Sequence, residues 1–176
     1  MRVTGWLALS AFALLALETA CGPLATPDDG TLVGNFTIVA TLQSNSCAPG
    51  YNPATPTTFR ASVHASGGSA TWSAAGSSVT GTASGSSIHV VAHAATSPYT
   101  NCVIDQTETI DATYVITPAD SGTPDAGAHS ATITGTDSVT LSTSSGPPCL
   151  PLLIVNGGAY PMFPCTATFT FTGTTS

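Results

Sequence analysis

The chain has no lysine and only two arginines among its 176 residues, against nine acids, for a formal net charge of −7. Arg2 lies in an apolar leader, so Arg60 is the single fixed cation in the rest of the chain. Neutralising nucleic-acid phosphates takes several Lys or Arg side chains, which excludes a nucleic-acid partner. Schiff-base and P-loop lysines are excluded with it. Charged residues of both signs make up 6% of the chain, about a quarter of the usual share. Disorder combines low hydrophobicity with high charge, and a chain that is 42% hydrophobic and nearly uncharged has neither property. Thirty threonines and twenty serines take the place of charge on the polar surface. The length suits one domain.

Residues 1–20 read as an export signal, with Arg2 as the positive start and Val3 to Leu17 as a short apolar run. A bilayer-spanning helix needs about 20 apolar residues, more than this run supplies. Leu17-Glu18-Thr19-Ala20-Cys21-Gly22 resembles the lipobox of bacterial lipoproteins, in which small residues precede a cysteine that becomes the lipidated N-terminus. The resemblance implies lipid on Cys21 and a membrane-anchored protein of the cell envelope, facing the periplasm or the exterior. Ordinary cleavage after Gly22 is the competing reading. Either way five cysteines become four, an even set for an oxidising compartment: Cys47, Cys102, Cys149 and Cys165. Residues 21–31 form a Pro/Gly/Asp-rich tether, and 32–176 the folded domain.

After the leader no segment shows a 3.6-residue period. Alternation with period two dominates, in segments rich in β-branched and aromatic residues. Strands are expected at 32–43, 57–65, 69–75, 78–83, 87–94, 104–117, 130–142 and 165–172, the seventh bulged at Gly135. Long Thr-faced strands without lysine make hazardous open edges, and closure abolishes edges. The expected fold is therefore an all-β, eight-stranded antiparallel up-and-down barrel, with a β-sandwich as the alternative. In such a meander the first, third, fifth and seventh connections share one end. That parity gathers all four thiols opposite the tether. With the last strand closing on the first, it pairs Cys47 with Cys165 and Cys102 with Cys149.

Gly34-Asn35-Phe36 in the opening strand is similar to the Gly-x-Trp signature of the lipocalin-like calycins. The hairpin texture of Ser78-Val79-Thr80-Gly81-Thr82 resembles Thr/Gly-rich β-barrel lipoproteins. These resemblances imply a small apolar ligand or none, and no enzyme activity.

Candidate chemistry is sparse. His89 and His93 share a face of one strand, but positions four apart are about 13 Å apart, too far to chelate one ion. His64 and His129 lie on other segments, no zinc-ligand spacing occurs, and no metal or other cofactor is expected. No Gly-x-Ser-x-Gly elbow precedes a helix. On 104–117 the face carrying Ile104, Ile110, Ala112 and Ile116 also carries Gln106, Glu108 and Tyr114. Those three are the candidates for a ligand cavity, because a buried carboxylate needs a partner or a raised pKa. The run from Gly146 to Pro164 is long and apolar, either a cap on the barrel or a patch for a partner. The expected function is a non-catalytic, membrane-tethered domain binding a protein partner or a small apolar ligand. The alternatives are a hydrolase using Glu108 and a histidine, and a passive surface-coat protein with a filled interior.

Overall fold

A computed structural model describes residues 30–99, 101–117, 130–143 and 147–176. The export signal, Cys21 and the tether as far as Asp29 lie outside the described residues. The strands are β1 (Thr31–Asn45), β2 (Thr57–Ser66), β3 (Ser69–Ala74), β4 (Ser77–Ser84), β5 (Ser87–Tyr99), β6 (Cys102–Thr117), β7 (Ser130–Thr143) and β8 (Cys165–Thr175). They close in chain order into an antiparallel barrel. β8 pairs with β7 on one side and β1 on the other, which sets the sandwich aside.

Alternation assigns the faces. β1 buries Phe36, Ile38 and Ala40, β7 buries Ala131, Ile133, Val139 and Leu141, and β8 buries Ala167, Phe169 and Phe171. A one-residue slip would turn every one of them to solvent, so the hydrophobic pattern specifies the register. Trp72 leans on Phe171 with ring centroids 5.8 Å apart. The outward positions are largely Thr and Ser, the reverse of the apolar outer band of membrane-spanning barrels.

Gly135 departs from expectation. The β6–β7 and β7–β8 registers run through it without a shift, so it is not a bulge. It is glycine because a Cβ there would strike the Asp111 carbonyl and the Phe171 ring. The register shifts lie instead in β1, at Leu32/Gly34 and Leu42/Ser44, and in β5, at Thr96/Tyr99. The apolar run before β8 also holds two short 3-10 helices, η1 (Pro147–Leu152) and η2 (Ile154–Asn156), a local winding too short for periodicity to register.

Both disulfides form as strand parity requires, Cys47–Cys165 and Cys102–Cys149, at the barrel end opposite Gly30. Disulfides of this kind belong to an oxidising, exported environment. No helix among the described residues is long and apolar enough to cross a membrane.

One pairing is incomplete. β4 and β5 meet only through Thr82–His89, Ala83–Ile88 and Ser84–Ser87. Gly81 marks the point of parting, where a Cβ would collide with the His89 carbonyl. Toward the disulfide end Ser77–Gly81 and Val90–Pro98 run on without pairing to each other, leaving a seam.

Candidate functional site: a carboxyl pair beneath the crown

The disulfide end forms a crown of two packed loops. Asn45 closes β1 by donating from Nδ2 to the Tyr51 carbonyl (2.7 Å) and accepting from the Cys47 amide (2.9 Å). Ser46 and Thr166 extend the β1–β8 ladder, with Ser46 N donating to the Thr166 carbonyl (2.9 Å) and Thr166 N donating to Ser46 Oγ (2.8 Å). The Tyr160 ring lies flat on Gly50, where any Cβ would meet it at 2.7 Å, and packs on Phe163 at 4.8 Å between centroids. Leu152 is buried with them, so one side of the 147–164 segment does cap the barrel.

Below this cap β6 and β7 contribute two acids. Strand parity turns Glu108 inward with Ile104 and Ile110, and it is 8% exposed. The same parity on β7, running through Ile133, Val139 and Leu141, turns Asp137 inward at 5% exposure. Glu108 faces Val139 and Ile110 faces Asp137, so the two carboxyls sit on a diagonal of adjacent strands. Diagonal positions are roughly 7–8 Å apart, within mutual reach of acidic side chains.

Neither acid has a cation among the described residues. Arg60 points outward and is exposed, and the sole ion pair among the described residues joins His89 to Asp111 on the outer surface. Asp137 Oδ1 is buried without a hydrogen-bond partner. Burial therefore pushes Glu108 up to about 7. Burial, reinforced by repulsion from Glu108, pushes Asp137 up to about 8. The pair titrates as a unit. Tyr51 lies over it, and burial followed by the charges of Asp137, Glu108 and Tyr160 drives its phenol up to about 12. Burial also raises Tyr160.

Of the three residues expected to line a cavity, Glu108 is buried, Gln106 is half-buried nearer the crown, and Tyr114 sits at the opposite end. Tyr114 donates its hydroxyl to the Gly85 carbonyl (3.2 Å). Eight strand residues, roughly 27 Å, separate Gln106 from Tyr114, so they do not share one site. Glu108 alone borders an interior recess of about 20 Å³, with Trp72, Ala74, Ser77, Val79, Val90, Ala92 and Ile110 as walls. That is room for about one water.

The histidines do not converge. His89 Nδ1 contacts Asp111 Oδ1 at 2.6 Å, His93 Nδ1 contacts Thr107 Oγ1 at 3.2 Å, and His64 is outward on β2. Glu108 is on the other face of the sheet from all three, so none reaches it; His129 lies outside the described residues. No metal-holding cluster occurs among the described residues. An outer cleft of about 570 Å³ runs past Asn35, Arg60, Ser62, Ser73 and Ser78. Four of its polar side chains pair with one another, Ser62 with Asn35 (2.7 Å) and Ser73 with Ser78 (2.6 Å).

Asp137 and Tyr51 join the site without having been expected there. The alternation of Ile133, Val139 and Leu141 carries the signal for Asp137, whereas Tyr51 is in a loop and has none. The chain matches no protein-family model, no curated protein and no solved structure.

Proposed function

We propose that this chain is an exported, lipid-tethered, non-catalytic barrel that presents its crown to a protein partner. One observation carries the reading. The crown segment exposes Leu150, Ile154, Val155 and Met162, with Val155 82% exposed, while Cys149 and Cys165 lock its two flanks to the barrel. Leu32, Val39, Val115 and Ile116 are exposed elsewhere on the barrel, but only the crown gathers four such residues on one braced loop, and loops of that kind serve as contact sites. The loop is further held by the Ile154 amide donating to the Tyr160 carbonyl (2.8 Å) and the Tyr160 amide donating to the Leu152 carbonyl (2.9 Å). β1 begins at the opposite end, so a chain anchored through Cys21 would project the crown away from the membrane. The sequential eight-strand barrel and the buried Phe36 of Gly34-Asn35-Phe36 support the lipocalin-like affinity. The water-sized recess favours a partner at the crown over an apolar ligand inside.

A filled interior also suits a passive coat protein, and cross-linking in the native cell separates the two. A photo-reactive residue at Val155 is expected to give a discrete protein adduct that the same residue at Gly67, at the tether end, does not. Equal or absent adducts at both positions would favour the coat. Cys21→Ser is expected to shift most of the protein from the membrane to the soluble fraction. A wild-type chain that is already soluble, beginning at Pro23, contradicts the anchor.

A further inference from the structure

The seam and the buried acid adjoin. β5 pairs with β6 along nearly its whole length, but on its other side it is paired only as far as His89. In an antiparallel strand about half of the backbone N–H and C=O groups point to each side, so Val90–Pro98 offers a row of groups to the seam. Ser77–Gly81 of β4 offers a second row across from it. Natural barrels abolish such edges, and an edge kept inside an otherwise closed sheet is a template for another strand.

The recess under the seam has walls from both sides of it, Ala74, Ser77 and Val79 from the hairpin and Val90 and Ala92 from β5. Ala74, Ser77, Val79 and Ala92 are partly exposed, so the recess communicates with solvent there. Its polar walls are Glu108, over nine-tenths buried and without a cation among the described residues, and the partly exposed Ser77. Its remaining walls are apolar, with Trp72 among them. A water-sized space bounded by a carboxyl group, a serine, an indole and aliphatic groups matches an alkylammonium in size, charge, hydrogen-bonding and cation–π preference.

We infer that the β4–β5 seam accepts an extended segment of another protein, pairing with the β5 edge and seating a lysine ammonium beside Glu108. The reach is right. A strand added to β5 lies two strand spacings from β6, about 9.6 Å. A lysine stem of about 6 Å together with the glutamate side chain covers that span. None of these 176 residues is a lysine, so none of them supplies the ammonium, and a partner protein is the source proposed. The inference does not depend on the crown reading, because the seam is a different surface.

The test uses the purified protein and a short alternating Thr/Val peptide with a central lysine, beside versions carrying norleucine or glutamine there. The lysine peptide is expected to bind on the order of tenfold more tightly than the norleucine peptide, as a charge-assisted contact of about 1.4 kcal/mol requires. Amide shifts should fall in Ser77–Gly81 and Val90–Ala95, and Glu108→Gln should erase the preference. Hydrogen exchange on the wild-type protein gives a readout free of any folding defect: the lysine peptide should slow the β5 seam amides. Equal binding of lysine and norleucine peptides, unprotected seam amides, or n-butylammonium binding as tightly as the peptide would overturn the proposal.

Discussion

Replacing Cys47 and Cys165 together by alanine is expected to lower the unfolding free energy by roughly 2–5 kcal/mol. The bridge spans 118 residues, against 47 for Cys102–Cys149. Chain-entropy scaling makes the longer loop about 1 kcal/mol more stabilising. It also pins the closing pair of strands, since Cys165 opens β8 and Cys47 lies just past the end of β1. Without it the β1–β8 pairing depends on its ladder, on the Ser46–Thr166 bonds and on the Gln43 Nε2 to Thr170 Oγ1 bond (3.0 Å). Urea unfolding of the two double variants measures the difference. If loss of Cys102–Cys149 costs more than loss of Cys47–Cys165, loop closure is not the governing term. Salt, by contrast, should move the melting point little, because the one ion pair among the described residues is exposed and involves a histidine.

Stability is also expected to fall as pH rises from about 4 to about 8, an unusual direction for an acidic protein. In the unfolded chain Glu108 and Asp137 release their protons near their ordinary values of 4.5 and 3.8, whereas the fold holds them up to about 7 and about 8. Between these limits the native state binds more protons, so each pH unit subtracts stability. The contribution is fully present below the unfolded values and is lost as pH passes through the folded ones. One proton retained across three units amounts to about 4 kcal/mol. Asp137→Asn keeps the shape and removes one acid, so it should shrink the slope and stabilise the protein most near pH 8. A thermal melting series across that range decides it. A wild type that becomes more stable from pH 5 to pH 8 would show that the pair is solvated or bound to a cation.

Asp137 and Glu108 show how far alternation carries. Each sits in an uninterrupted inward series, so both are legible as interior acids, although only Glu108 stands out as a candidate from its own strand. Gly135 shows the limit of local reading. A glycine in a strand signals either a bulge or a close approach, and only the facing Asp111 carbonyl and Phe171 ring tell which. β5 runs on to Tyr99 where its apolar alternation suggests an end near residue 94, because pairing with β6, not side-chain pattern, carries its last residues.

Composition and period two determined the class of fold, the inward faces of β1, β2, β8 and most of β6 and, through the parity of the connections, the cysteine pairing. These are properties of a side-chain pattern that repeats every second residue and of a chain that reverses at each turn. Tertiary structure decided what pattern does not encode. It brought Tyr51 over the two acids, left one side of the crown segment in solvent, and stopped the β4–β5 ladder after three pairs. Each depends on the distance between segments remote in sequence. Gly81 stands where the two strands part, but a glycine within a strand does not by itself say which neighbour is lost, so the seam is visible only once β4 and β5 are side by side.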